Sequence, residues 1–200
     1  MIKKIIIFTG AVFICFAARA QSPSADTVYN KYLDFNLARF QGEQDKAFEL
    51  GEDILPYADK LPEKARISFY FSIGKIYEDN DEPDKALPFY EKVAAAVPDY
   101  YVVHRALGYL YYEKAKAIKV KIDEAPNDKT PATQLNASYI SMVKTALPHL
   151  EKAQACDPSD ETLALIKMLY KSINDDGDLN SLDSRLKALG AHCSDILNDR

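Results

Sequence analysis

Four positions recur at an interval of 34 residues: Tyr70, Ile73, Gly74 and Tyr77 are followed by His104, Leu107, Gly108 and Tyr111. A fixed period of this length means one supersecondary unit used more than once. Such a unit cannot bury its apolar face alone and has to stack on its neighbours. In Ile67–Tyr100 the apolar residues fall at helical spacing on both sides of Asp79-Asn80-Asp81-Glu82-Pro83, which reads as a turn between two helices. Pro83 suits the first turn of the second helix, and Pro98 ends it. Gly74 and Ala86 are the small residues expected where the two helices cross most closely.

The set Tyr70, Ile73, Gly74, Tyr77, Ala86, Tyr90, Val93 and Pro98 resembles a tetratricopeptide repeat. That 34-residue unit has an aromatic/Leu-Gly/Tyr first helix, an Ala/aromatic/Ala second helix and a closing Pro. The resemblance implies an all-α solenoid of about four helix-turn-helix units and a role in binding proteins or peptides. It does not identify the partner.

The other units follow by the same pattern. The first spans residues 26–60. Its first helix carries Val28, Tyr29, Tyr32, Leu33, Leu37 and Phe40 at spacings of three and four, after a cap at Ser24 or Asp26. Its second helix, about 44–58, has Ala47 in the small position, 39 residues before Ala86, while Ala38 and Gly51 stand where aromatics are expected. The central unit is 61–100. The third, 101–160, repeats the first-helix signature on time, but its second half, Ala146, Leu150, Ala153 and Pro158, arrives 26 residues late. An insertion at 114–139 that lengthens both helices of one hairpin accounts for this, with a loop at Ala125–Pro131. A helix of 24 residues from Tyr101 would be roughly 36 Å long and would overhang its neighbours. A weaker fourth unit, 161–190, makes eight helices in all, followed by a polar tail at 191–200.

Residues 1–20 read as a secretory signal peptide: Lys3 and Lys4, an apolar run from Ile5 to Ala17, then Ala18-Arg19-Ala20, with cleavage expected after Ala20. The run is shorter than the ~20 residues a membrane span needs. Ile14 before Cys15 argues against a lipidated cysteine. Losing Lys3, Lys4 and Arg19 from 25 basic residues leaves 22 against 30 acidic ones, a net charge of −8. The expectation is an exported, periplasmic or extracellular protein with no membrane span after processing. A chain this acidic repels the phosphate backbone, so nucleic acid is not an expected partner.

Catalytic or metal-binding chemistry finds little to stand on. There is no His-Glu-x-x-His, Cys-x-x-Cys, phosphate-cradling Gly-rich loop or Gly-x-Ser-x-Gly. His104 occupies a packing position, while His149 and His192 stand alone and are expected at the surface. The turn Asn174-Asp175-Asp176-Gly177-Asp178 aligns with part of a calcium loop, but Ser172 and Asp183 fill the first and last ligand positions poorly. No enzyme activity, cofactor or metal is expected. Cys156 and Cys193 end the second helices of successive units, which run side by side. In an oxidising compartment they can form a disulfide that contributes about 3–4 kcal/mol in the chain-entropy model.

By the resemblance, first helices line a concave groove. The positions carried over are Tyr29, Tyr32, Asn36 and Arg39, then Phe71 and Lys75, then Arg105, Tyr109 and Tyr112. Rings beside cations suit an extended peptide, and Arg39, Lys75 and Arg105 suit an acidic or carboxyl-terminal segment. The tyrosines can equally be core. The carboxylate clamp of chaperone-binding relatives is absent, since only Asn36 matches while Tyr32 and Val102 replace its lysines. The leading expectation is a non-catalytic interaction scaffold. The alternatives are a structural subunit of an envelope assembly, docked by its convex face or long hairpin, and a small-ligand-binding or enzyme-associated role for the Tyr-rich groove.

Overall fold

The computed structural model describes residues 22–124 and 129–197. The signal peptide expected at 1–20, with its cleavage after Ala20, lies outside the described residues, as do the centre of the long hairpin's loop and the last three residues. The described chain is all-helical: α1 (Ala25–Phe40), α2 (Gln44–Ile54), α3 (Glu63–Asp79), α4 (Pro83–Ala96), α5 (Tyr101–Glu124), α6 (Lys129–Cys156), α7 (Asp160–Ser172), α8 (Asp176–Asn180) and α9 (Leu182–Leu189). Among these residues there is no strand, and no helix is long and apolar enough to cross a membrane. Helices α1 and α2, α3 and α4, α5 and α6, and α7 and α8 pack as hairpins, each hairpin touches the next, and α6 also packs on α9.

Two of the expected helices are divided. The second helix of the first hairpin stops at Ile54 and continues as a 3-10 turn, Leu55–Lys60, because Pro56 has no N–H to continue the α-helical ladder. The last helix is broken at Ser181 into α8 and α9, giving nine helices among the described residues where eight were expected.

Three of the turns share one construction. In each, a residue with positive φ (Gly42, 74°; Asp81, 60°; Asn174, 55°) follows the first helix. The next amide then reaches back five residues: Glu43 N–H to Ala38 O (2.9 Å), Glu82 N–H to Tyr77 O (2.8 Å) and Asp175 N–H to Tyr170 O (3.0 Å). This six-to-one bond with a left-handed residue satisfies carbonyls that the helix end would leave open. Asp and Asn tolerate that conformation because their short polar side chains bond locally.

The close crossings are also equivalent. A Cβ on Gly74 would sit 2.9 Å from the Tyr90 ring, and one on Gly108 would sit 2.7 Å from Leu150 Cδ2. Tyr90 and Leu150 are 60 residues apart, the 34-residue interval plus the further 26 by which Ala146, Leu150 and Ala153 are displaced in the sequence. Ile73 and Leu107 are both 0% exposed. Successive hairpins are joined by a recurring polar contact: Tyr77, Tyr111 and Tyr170 each donate a phenolic hydrogen bond to a glutamate of the preceding hairpin's second helix, Glu52, Glu91 and Glu151. Those glutamates each lie five residues after Ala47, Ala86 and Ala146. Burial raises the pKa of Tyr77 and Tyr170, and that of Tyr111 to about 12, so all three stay protonated donors at neutral pH.

Two apolar cores meet along α5. One runs from Val28 to Leu107, and the other gathers Ala115, Val143, Leu150, Ile166, Leu169 and Leu182. Beyond them α5 (24 residues) and α6 (28 residues) continue as a long hairpin, about 36 and 42 Å at 1.5 Å per residue.

The C-terminal segment is not a free tail. Residues 191–197 form a strap across the start of α5. Ser194 N–H donates to Asp99 O (2.7 Å) and Tyr101 N–H donates to Ser194 O (3.1 Å), with an isolated parallel bridge between Tyr100 and Ser194. The Cys156–Cys193 disulfide, Cα–Cα 5.6 Å, ties the strap to the end of α6, and Leu197 packs on the first core.

Candidate partner-binding cleft

Helix α1 presents two apolar faces. Val28, Tyr32, Phe35 and Ala38 are buried, whereas Tyr29, Leu33, Leu37 and Phe40 stay exposed. The single stripe expected from the sequence therefore divides, because residues 29, 33, 37 and 40 lie one helical step round from those that meet α2 and α3. Phe40 is 94% exposed. The outer stripe runs into a cleft of about 510 Å3 walled by the end of α1, the start of α2 and the C-terminal half of α3. Phe40, Phe48 and Ile76 supply its apolar wall, and Arg39, Lys75, Asp45, Asp79 and Ser72 its polar groups.

The first helix turns at Gly42, on the lip of this cleft. That turn places Arg39 and Phe40 of one helix beside Asp45 and Phe48 of the next. The Arg39 guanidinium lies 5.4 Å from the Phe35 ring centroid and donates to Asn36 Oδ1 at 3.0 Å. Desolvation lowers its pKa, and Tyr32 opposes this. Among the described residues it forms no ion pair. Lys75 differs: it is paired with Asp79 at 2.5 Å, and that hydrogen bond raises its pKa.

The residues expected along the groove thus separate. Arg39 and Lys75 share the cleft, with Asn36 orienting Arg39, and Tyr29 is exposed on the adjoining stripe. Tyr32 is a correction: it is 3% exposed and packs edge-on against Phe69, in the core. Phe71 is half-buried between the rings of Tyr90 and Tyr100. Arg105 is half-buried and bonded to the main-chain oxygen and carboxylate of Asp157. Tyr109 shares a hydrogen bond with Thr162 (2.9 Å), and Tyr112 packs on the second core. The α5 members of the set are therefore committed to contacts within the fold. Phe40 and Phe48, which form the apolar wall, stand at the end of α1 and in the first turns of α2, outside the groove positions carried over from first helices.

His149, expected alone at the surface, is half-buried against His104, Nδ1 to Nδ1 2.8 Å, and stacks on Tyr111. Among the described residues no three His, Cys, Asp or Glu groups come together as a metal site. The Asn174–Asp178 turn instead forms the left-handed connection and caps α8 through Asp175. Comparison of the chain with protein-family models, with curated proteins and with solved structures finds no match.

Proposed function

We propose that this chain is an exported, non-catalytic interaction module, a short α-solenoid of four tetratricopeptide-like hairpins that captures a segment of a partner protein in the α1–α2–α3 cleft. The repeat reading is supported by the shared turn construction, by Gly74 and Gly108 at equivalent crossings, and by the Tyr–Glu contacts between successive hairpins. Export is supported by the apolar N-terminal run after Lys3 and Lys4, and by a disulfide, which persists in oxidising compartments.

One observation carries the binding reading. Arg39 is a cation with no carboxylate partner among the described residues, set between a 510 Å3 cleft and the exposed ring of Phe40. Arginine and aromatic side chains are the residue types that anchor partners, and an exposed guanidinium there fits a carboxylate in bidentate fashion. The preferred ligand is an extended segment carrying a bulky apolar residue next to Asp, Glu or a free carboxyl terminus.

The test is a titration of 15N-labelled protein with an equimolar library of octapeptides pairing a central Leu or Phe with Glu, set against the same library with Lys in place of Glu. Shifts are expected to cluster at Arg39, Phe40, Phe48 and Lys75 with the acidic library only. Arg39→Glu is expected to weaken binding at least about tenfold, equivalent to about 1.4 kcal/mol. Shifts spread away from the cleft, or equal affinity for the Arg39→Glu protein, would refute the assignment. A second reading, permanent docking of the long hairpin, is favoured by Val120 and Ile140, which are exposed apolar residues on its projecting part.

A further inference from the structure

The contact between α5 and α6 contains a polar element that the cleft does not use. His104 Nε2 lies 3.0 Å from Pro98 O. A carbonyl only accepts, so Nε2 bears the proton, and in the neutral ring Nδ1 is left as an acceptor. His149 Nδ1–H then donates to it across 2.8 Å. The two rings share one proton. A proton added at His149 Nε2 leaves that bond in place; a further one on His104 Nδ1 would charge both rings, place N–H groups head to head and break it.

The pair sits beneath the attachment of the C-terminal strap. Pro98 and Asp99 form the linker to which Ser194 is bonded. Lys152, buried on α6, holds the same region with its Nζ: it pairs with Asp99 Oδ1 (3.1 Å) and donates to the main-chain oxygen of His192. The charges acting on His104 are Lys152 and Asp99. Tyr111 stacks on His149 and donates to Glu91 of α4. Arg105, next to His104 on α5, is already satisfied by Asp157, and the strap itself contributes His192 and Asp195. One carboxylate, Asp99, therefore faces both the ammonium that holds the strap and any new charge on the rings.

We propose that the His104–His149 pair is a proton-operated latch for residues 194–197: closed while at least one ring is neutral and a proton is shared between them, open once both rings are charged. Charge on the rings repels the Lys152 ammonium and competes for Asp99, and the separating His104 ring draws on the Pro98 carbonyl. The linker that Ser194 grips is thereby displaced. The disulfide at Cys193 keeps the strap tethered, so opening is local and reversible. It uncovers Tyr100, which is otherwise buried. The direction of the pH response follows from burial: it holds His149 down to about 4, with the charge of His104 adding to the effect, and it lowers His104, with the Pro98 carbonyl and Asp99 opposing and Lys152 adding. Because a depressed histidine favours the closed state only where the open state would protonate, closure is full above the ordinary histidine pKa and is lost as pH falls towards 4.

The experiment uses the oxidised full chain, 15N-labelled, with hydrogen-exchange protection measured at about pH 7 and about pH 4.5. Protection at the Ser194 and Tyr101 amides is expected to fall about tenfold relative to Phe69 in α3, which reports global opening. In His149→Gln the amide donates to the neutral His104 Nδ1 and, turned over, accepts from the charged one, so the facing bond survives and strap protection is expected to hold. Loss of protection in step with Phe69, no loss at all, or the same loss in His149→Gln would each overturn the latch. The unaltered protein supplies an independent readout: the lower of the two ring titrations and the Ser194 amide should share one midpoint, and separate midpoints would overturn it as well.

Discussion

Arg185→Ala is expected to lower the free energy of unfolding by about 3–5 kcal/mol. Its partner Glu151 is 4% exposed and takes three hydrogen bonds: from Arg185 Nε (3.0 Å), Arg185 Nη2 (2.6 Å) and the Tyr170 hydroxyl (2.5 Å). The guanidinium also covers the Tyr170 ring and donates to Asp178 O. Removing it leaves a carboxylate in the interior with one neutral donor. Desolvation that the ion pair had offset is then uncompensated. Because Arg185 is on α9, Glu151 on α6 and Tyr170 on α7, the final hairpin should loosen first. Arg185→Lys keeps the charge but not the fork and should lose less. The Glu151→Gln/Arg185→Ala double variant should be more stable than Arg185→Ala alone. Urea unfolding followed by circular dichroism measures all three. A loss under about 1 kcal/mol for Arg185→Ala would mean that the network is solvated and contributes little.

Gly108→Ala is expected to cost about 2–3 kcal/mol, although alanine is intrinsically the better helix former by about 1 kcal/mol. The new Cβ would lie 2.7 and 2.8 Å from Leu150 side-chain carbons and 3.0 Å from the Leu150 main-chain nitrogen. A side chain can rotate away, but the backbone of α6 cannot without opening the long hairpin. Gly177→Ala is the control. Its nearest neighbour is 3.9 Å away, so it should be neutral or gain up to about 1 kcal/mol. Shortening Leu150 in the Gly108→Ala background should recover part of the loss as a coupling energy, since the two residues touch. Equal stability of Gly108→Ala and the unaltered protein would show that α5 and α6 do not cross where Gly108 lies.

The elements most legible in the sequence were those whose neighbours are set by spacing. Ile73 and Leu107, Gly74 and Gly108 recur at 34 residues and occupy matching positions. The delay of Ala146 and Leu150 implied two long helices, and α5 and α6 run 24 and 28 residues. Helix α1 shows why periodicity runs out. Residues 28, 32 and 35 and residues 29, 33 and 37 are both apolar series at helical spacing, and only the helices packed beside them choose between the two faces. The missed core residue Phe35 fits because Gly51 opposes it, 3.2 Å from the position a Cβ would take. The His104–His149 contact spans 45 residues with no local signal. By contrast, the Tyr–Glu contacts were available: Glu52, Glu91 and Glu151 share one offset from Ala47, Ala86 and Ala146, a polar repeat beneath the apolar one. Groove positions were least legible, since a repeat defines which way a side chain starts but not whether a later helix covers it, as happens to Tyr109 and Arg105.

Capture of a partner segment at the cleft is tested most directly by placing a photoreactive side chain at each candidate surface in cells that make the protein. Phe40→p-benzoylphenylalanine reports the cleft, and Val120→p-benzoylphenylalanine reports the long hairpin. The account predicts a covalent adduct at position 40, mapped by mass spectrometry to a segment with an acidic residue beside a bulky apolar one, and lost when Arg39→Glu is added. Adducts confined to position 120, or adducts at position 40 that survive Arg39→Glu, would contradict it.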